Sequence, residues 1–430
     1  MTVTVTVTVA RRLRVLRGGL NRPRARAVMA AGAILFTTLI PVPAAAQLPD
    51  WSLEARQRLI GGPNSGPNSG PNGGRTLELA QRAVLLEEGE ALLAAGDALA
   101  AELAFDRAAL LLHAPDTESS LVRSYMQAGD YRRALAFGAH AAGAHREMPA
   151  ASALYVWLLQ VGGQGKVAAQ RLDDALAAAP GHRALESARA SLAGPWPVPG
   201  EALMSAPVRL APYASADLPP AGSAVVASGV LIAGGHEALV PAAAIGGATT
   251  VWLRNGMGQG SMAEPMQRLD DRGLGPGLGV IRLRLQKPLP WPDGQHVALR
   301  EPFAGSPGST VEFAATASAQ PAWPLLRQGF MGRHLSDGSA RLLGIELPAG
   351  PRGGPVFDQG GALAGIALAG PDGRARLLGV TTLQPALGPV FGTPAPGTPA
   401  GALPPAMALD QVYENALRLT LQVIVAPLPR

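Results

Sequence analysis

Few side chains in the second half of the chain could act as an acid, a base or a nucleophile. The histidines between residues 206 and 391 are His236, His296 and His334. His334 is followed by Ser336, Asp337 and Ser339, and a histidine beside a hydroxyl group is the arrangement that activates a serine nucleophile. A polar loop with one histidine is more often solvated surface without chemistry, so we favour that interpretation over a catalytic site.

A glycine-rich run around an arginine is the most distinctive pattern in the chain. Residues 350–358 read Gly-Pro-Arg-Gly-Gly-Pro-Val-Phe-Asp, and a Gly-Ile pair follows at 365–366. This run is similar to the nucleophile loop of trypsin-like serine peptidases, where Gly-x-Ser-Gly-Gly-Pro-Val-Phe precedes a turn and a Gly-Ile strand. Arg352 stands at the position of the serine, and an arginine has no nucleophilic oxygen and stays protonated in a protein.

Two upstream segments resemble the other landmarks of that family, in the family's order. Residues 238–245 resemble the strand and helical turn that carry the catalytic histidine, which places this histidine at Ala243. Residues 277–283 resemble the strand that begins at the catalytic aspartate, which places it at Gly277. The resemblance covers residues 206–391 and implies that the triad is replaced by Ala243, Gly277 and Arg352, with no catalytic residue left.

The resemblance also implies remnants of a binding site. In the family, the loop glycines let two backbone N–H groups converge as an oxyanion hole. Here this vestigial loop comprises Gly350, Arg352, Gly353 and Gly354. The substrate groove of the family follows the Gly-Ile strand, at Ala367, Leu368 and Ala369, where a strand edge could pair with an extended peptide. A β-domain retained only as a packing body is the alternative.

The side chain of Arg352 carries an expectation of its own. Because the neighbouring glycines and Pro355 are retained, we expect the loop to keep the peptidase shape. The arginine then either extends into solvent or closes the cleft by pairing with an acid. Glu346 and Asp358 are the nearest acids in sequence.

The first half of the chain has the composition of an α-helical region. Glycines that follow apolar helical patterns, Gly96, Gly129 and Gly163, lie 33 and 34 residues apart. Five residues after each glycine stands an alanine, at positions 101, 134 and 168. This pattern resembles the tetratricopeptide repeat, in which paired helices cross closely at small residues. A final helix over residues 182–193 would cap the array, and a generic alanine-rich bundle is the alternative.

The N-terminus reads as an export signal. Residues 1–46 hold seven arginines and no acid, followed by an apolar run at 27–40 and three alanines at 44–46. We expect cleavage after Ala46, because a run of this length is shorter than the roughly 20 residues of a spanning helix. An uncleaved anchor is the alternative. The mature protein is then periplasmic or secreted, without stable membrane insertion.

The overall charge excludes several function classes. The formal net charge of +5 becomes −2 once the seven leader arginines are removed, so no basic surface remains for nucleic acid. The chain has no cysteine, which excludes thiol catalysis. No phosphate loop, dinucleotide fingerprint or metal-ligand spacing is recognisable, so we predict no cofactor and no metal. The remaining partner class is a protein or a peptide.

Together these patterns predict a multidomain protein, an all-α tetratricopeptide-like helical array followed by an all-β trypsin-like double β-barrel. The expected segments are a signal peptide at 1–46, a flexible Gly/Pro/Asn linker at 47–74, helical repeats at 75–194, a linker at 195–205, the β-barrel domain at 206–391, and a Pro/Gly linker with a helix–strand tail at 392–430. We expect the helical and β-rich parts to be separable. The predicted function is an exported pseudo-peptidase that binds a partner without catalysis; the alternative is an active trypsin-like serine hydrolase with a rearranged site.

Overall fold

The computed structural model describes residues 73–194, 218–248, 250–269, 277–298, 300–335, 340–347, 352–392 and 405–426. The predicted signal peptide and the linker at 195–205 lie outside these residues, as does the linker at 47–74 apart from its last two positions. Gly350, Ser336, Asp337 and Ser339 are also outside them. Within the described part of the chain, no helix combines the length and the hydropathy that crossing a membrane requires.

A helical array forms the first half of the described chain. Its helices are α1 (Gly73–Ala95), α2 (Ala98–Leu111), α3 (Pro115–Ala128), α4 (Tyr131–Ala144), α5 (Pro149–Val161), α6 (Gly165–Ala178) and α7 (Arg183–Leu192). Each helix packs against the next one. Because the connections are only a few residues long, consecutive helices run antiparallel. The predicted helical array is thereby confirmed, and its resemblance to the tetratricopeptide repeat stays a prediction.

The glycines that recur every 33 or 34 residues in the sequence lie at the ends of helices. Gly96, Gly129 and Gly163 have φ angles of 86°, 74° and 79°, the left-handed conformation that ends a helix and favours glycine. Asp97 and Asp130 follow the first two of these glycines, and their side chains accept the N–H groups that open the next helix. The alanines at 101, 134 and 168 are fully buried, as expected of positions where helices approach closely.

Two closed six-stranded barrels follow the array. The strands are β1 (Ala224–Ile232), β2 (Glu237–Pro241), β3 (Val251–Asn255), β4 (Gly260–Leu269), β5 (Val280–Leu285), β6 (Pro307–Glu312), β7 (Leu325–His334), β8 (Arg341–Gly344), β9 (Pro355–Asp358), β10 (Leu363–Ala369), β11 (Ala375–Gly379) and β12 (Thr420–Val425). The barrel helices are α8 (Ala242–Ile245), α9 (Val380–Leu387) and α10 (Leu409–Leu419). Neighbouring strands are antiparallel, in the orders β1-β12-β3-β4-β5-β2 and β10-β11-β8-β7-β6-β9.

The C-terminal strand closes the first barrel. The sequence predicts a helix and a strand in the tail, and α10 and β12 are present there, but their place in the barrel was not predicted. β12 pairs with β1 on one side and with β3 on the other. In the second barrel the equivalent position, between β7 and β9, belongs to β6. The two barrels therefore share one strand order, and the first barrel takes one strand from the end of the chain.

The helical array and the barrels share a core, which counts against the expectation of separable halves. Tyr131 of α4 packs against Tyr413 of α10 with ring centroids 4.5 Å apart. Trp157 of α5 lies 6.0 Å from Trp323, which precedes β7. The hydroxyl of Tyr413 donates to the carbonyl of Pro324. The described residues accordingly belong to one compact unit.

Candidate functional site

The loop before β9 packs directly against the first barrel. A Cβ atom added to Gly353 would lie 2.0 Å from the carbonyl oxygen of Ser228 on β1 and 2.6 Å from Cδ of Pro241 on β2. The φ angle of Gly353 is 150°, a conformation that side chains rarely adopt. Only glycine therefore allows this close approach, which holds the predicted nucleophile loop at the junction of the two barrels.

The positions predicted for the histidine and the aspartate lie at the same junction. Ala243 is in α8, directly after β2, and the preceding residue Ala242 donates its N–H to the carbonyl of Gly279 at 2.9 Å. A Cβ atom added to Gly277 would lie 3.8 Å from the carbonyl oxygen of Ala369 on β10. Both Ala243 and Gly277 are exposed. The junction thus carries an alanine and a glycine at the two positions that the sequence resemblance assigns to the base and its orienting acid.

Arg352 does not extend into solvent, and its side chain has a different acid from the two that the sequence suggested. Arg352 is only 4% exposed. It lies near Glu312, a residue at the end of β6 that is 1% exposed. Burial lowers the pKa of Arg352, and the negative charge of Glu312 opposes this. Asp358 instead accepts the N–H groups of Gly360 and Ala362 in the next turn. The charge that acts on Arg352 is thus that of Glu312, an acid that the sequence did not suggest beside Glu346 and Asp358.

Glu312 occupies the loop with its carboxyl group. The N–H of Gly354 donates to Oε1 of Glu312 at 3.3 Å. Burial raises the pKa of Glu312 to about 7, while Arg352, the Ser228 hydroxyl and the loop amides act in the opposite direction. The Oγ atom of Ser228 accepts the N–H of Phe313 at 2.8 Å, which leaves its own proton available to the carboxyl group. The loop before β9 therefore binds the carboxyl group of Glu312, an acid of the protein itself.

The strand segment predicted as a peptide groove is largely covered. Ala367 and Leu368 are buried, and Ala369 is partly exposed. The N–H of Ala367 donates to the carbonyl of Gly354 at 2.9 Å, and β10 remains paired with β11 as far as Ala369. In the described structure an extended peptide has access to this strand only at its last residue.

The other histidines of the barrels have separate surroundings in the part of the chain that the structure describes. Nε2 of His334 lies 3.0 Å from Oε2 of Glu301, and the hydroxyl of Thr381 donates to Oε1 of the same carboxylate. The main chains of His236 and His296 accept the N–H groups of Leu285 and Leu363. His334 is exposed, and its predicted neighbours Ser336, Asp337 and Ser339 lie outside the described residues.

A cluster of metal-ligand type in the helical array was missed by the sequence analysis. His113, Glu118 and His145 each place one ligand atom within 4.8 Å of the others. His140 lies beside the same glutamate, with Nε2 3.3 Å from Oε1. The residues come from three separate segments, so no short motif signals them, and only the pairing of the helices could have indicated their proximity.

Comparisons with known proteins add little beyond the topology. No family model matches the chain, and no curated protein matches it. Among solved structures, the chain is similar to Rv3671c from M. tuberculosis H37Rv, crystallised as a serine-to-alanine mutant in an inactive form. The identity is 14%, the match covers 36% of this chain and 76% of that one, and the TM-score is 0.29. The fold therefore rests on strand order: a helical array precedes a trypsin-like double β-barrel.

Proposed function

We propose that the chain is an exported pseudo-peptidase that holds a protein or peptide partner without cleaving it. One observation carries the proposal, namely the buried carboxyl group of Glu312 in the loop that would hold a nucleophile. In an acyl-transfer enzyme such a loop must receive the substrate carbonyl and stabilise its developing negative charge. The carboxyl group of Glu312 instead lies against this loop and accepts the N–H of Gly354, and Arg352 supplies no nucleophile.

Proton transfer lacks a residue as well. A serine nucleophile needs a base to take its proton and an acid to orient that base. Ala243 and Gly277 offer neither group. The catalytic alternative would have to rely on His334, whose Nε2 lies 3.0 Å from Oε2 of Glu301, and on a hydroxyl group near it in sequence.

The helical array supplies an apolar surface suited to a protein partner. Leu99, Leu103 and Leu110 of α2 are 69%, 65% and 87% exposed. Spacings of four and seven residues place all three on one face of a helix. Large exposed apolar side chains in one patch are typical of interaction sites. We assign partner binding to this face, because Ala367 and Leu368 of the barrel are buried.

The catalytic part is tested by rebuilding the triad. Arg352→Ser alone should give no peptide hydrolysis, because Ala243 cannot take the serine proton. Ala243→His, Gly277→Asp and Arg352→Ser together should give weak hydrolysis, since losing triad members costs on the order of a million-fold in rate. Hydrolysis by the unmodified protein that disappears on mutation of His334 or Ser336 would refute the proposal.

The binding part is tested by capture from a periplasmic extract. The variant Leu103→Ser/Leu110→Ser should lose the proteins that the mature chain retains. Arg107→Ser is the matched control, because it changes an exposed residue of the same helix and leaves the leucines in place. Equal retention by both variants would contradict the assignment of the partner to α2.

The exported location belongs to the same proposal. It rests on the arginine-rich leader and the three alanines before Gln47. Intact-mass measurement of protein recovered from outside the cytoplasm should give a chain that begins at Gln47. A mass that includes residues 29–46 would contradict cleavage at this point.

A further inference from the structure

Three histidines surround one buried glutamate at one end of the helical array. Nε2 of His113 lies 2.6 Å from Oε1 of Glu118, and Nε2 of His145 lies 3.1 Å from Oε2. Nε2 of His140 lies 3.3 Å from Oε1. The glutamate is 3% exposed, whereas the side chains of His113 and His140 are more than half exposed. The carboxylate of Glu118 is therefore buried, and the imidazoles of His113 and His140 beside it are exposed to solvent.

The antiparallel helices explain why these side chains meet. His113 lies in the connection after α2, and Glu118 lies in the first turn of α3. His140 is in the last turns of α4, and His145 caps its C-terminus. Because consecutive helices reverse direction, the end of α2, the start of α3 and the end of α4 share one side of the array. The site is therefore built on three rigid elements.

Hydrogen bonds do not account for the close approach of the histidine nitrogens to the carboxylate of Glu118. Within the described residues, both oxygens of Glu118 and Nε2 of His145 are buried without a hydrogen-bond partner, although nitrogen and oxygen atoms lie about them at short distances. The angles are thus wrong for N–H donation. Converging lone pairs with no proton between them form the arrangement that a metal cation satisfies.

We propose that His113, Glu118 and His145 bind one Zn²⁺ ion. Imidazole nitrogens with a carboxylate oxygen suit zinc, whereas Mg²⁺ and Ca²⁺ prefer oxygen ligands alone. In a tetrahedral zinc site, neighbouring ligand atoms lie about 3.3 Å apart, because each is about 2.0–2.1 Å from the metal. The distance of 3.1 Å from Oε2 of Glu118 to Nε2 of His145 agrees with this geometry, and the distance of 2.6 Å from Oε1 to Nε2 of His113 would lengthen on binding. The three ligands link α3 to the ends of α2 and α4, and they leave one coordination position open beside the exposed His140.

A further carboxylate orients one of the ligands. Oε1 of Glu147 lies 3.4 Å from Nδ1 of His145. A carboxylate at Nδ1 places the imidazole proton there and leaves the Nε2 lone pair directed at Glu118. Metal-binding histidines usually have such an outer partner. Glu147 is therefore a positioning residue, and its replacement should weaken zinc binding without removing a ligand.

The test is a zinc titration of the full mature chain without a polyhistidine tag, after treatment with EDTA. Isothermal titration calorimetry with ZnCl₂ should give one site per chain, and MgCl₂ should give none. His113→Ala and His145→Ala should abolish the site, and Glu147→Gln should weaken it about tenfold. His334→Ala is the matched control, because it removes an exposed histidine of the barrel and should leave the affinity unchanged.

A second readout protects the test against misfolding. Zinc should raise the melting temperature of the unmodified chain, because a ligand that binds only the folded state stabilises it. The exposed residue His113 can be replaced without disturbing the core, so His113→Ala should fold and lose this response. The proposal would be overturned if the unmodified chain bound no zinc. It would also be overturned if His113→Ala and His145→Ala bound zinc as tightly as the unmodified chain.

Discussion

The N–H of Gly354 donates to Oε1 of Glu312 at 3.3 Å, so a backbone amide at the start of β9 binds an acid at the end of β6. Both residues belong to the second barrel, and the next glycine back contacts Ser228 and Pro241 of the first. The loop is thus held from both sides by the protein itself.

Stability should depend on pH through Glu312. Its pKa is about 7 in the folded protein against an ordinary value of 4.5, so the folded state binds more protons than the unfolded state between these values. Stability should therefore fall as the pH rises from about 5 to about 7, by on the order of 3 kcal/mol. Glu312→Gln should remove this fall.

Urea denaturation at pH 5, 6, 7 and 8 measures the effect. Glu312→Gln should match the unmodified protein near pH 5 and exceed it at pH 8. Glu264→Gln is the control, since Glu264 is an exposed residue of β4. Parallel pH profiles for the unmodified protein and Glu312→Gln would show that the carboxyl group is not buried as described.

Gly353→Ala should be strongly destabilising. The new methyl group would overlap the carbonyl of Ser228, and the backbone conformation is strained for alanine. Overpacking and backbone strain together should cost about 3 kcal/mol or more. Gly373→Ala is the matched control, because its φ of 74° imposes strain while no atom lies within 4 Å. Similar decreases in melting temperature for Gly353→Ala and Gly373→Ala would exclude the close contact between Gly353 and Ser228.

Removal of residues 405–430 should unfold the first barrel. Without β12, the edges of β1 and β3 lose their partners, and the buried side chains of Tyr413 and Leu421 leave the core. We expect aggregation or a lost cooperative transition in near-ultraviolet circular dichroism. A synthetic peptide of residues 405–430 should restore the transition, and deletion of 427–430 alone should have little effect. An unchanged urea midpoint after the long deletion would contradict the barrel topology.

A buried ion pair of the helical array, Arg123 with Glu90, should matter more than the partly exposed pair of Arg133 with Glu102. Nη1 of Arg123 lies 2.8 and 3.0 Å from the two oxygens of Glu90, and both residues are buried. Glu90→Ala leaves an unpaired buried charge and should cost about 3–5 kcal/mol. Glu102→Ala, which removes the partially exposed partner of Arg133, should cost less than about 1 kcal/mol. Equal losses of unfolding free energy for Glu90→Ala and Glu102→Ala in urea denaturation would contradict the burial of the Arg123–Glu90 pair.

Local signals in the sequence explain which parts of the fold were predictable. The end of α3 follows from Gly129 and the start of α4 from the capping residue Asp130, and both act within a few residues. The position of β12 has no such signal. Its partners on β1 are about two hundred residues away in sequence, so only the closed barrel shows where it belongs.

The same distinction holds for the candidate sites. The loop at Arg352 is recognisable because its glycines are consecutive, whereas Glu312 lies 40 residues earlier at the end of a strand without a motif. Nothing near Arg352 in sequence indicates this acid. The zinc cluster is hidden in a similar way, since its outermost ligands, His113 and His145, are 32 residues apart.

The most direct test of the non-catalytic proposal is labelling of the mature chain with a serine-reactive fluorophosphonate, measured by intact mass. We predict no adduct under conditions that label an active serine peptidase completely, because Arg352 occupies the nucleophile position and Ala243 offers no base. A stoichiometric adduct on one serine, lost after heat denaturation and lost in His334→Ala, would contradict this prediction.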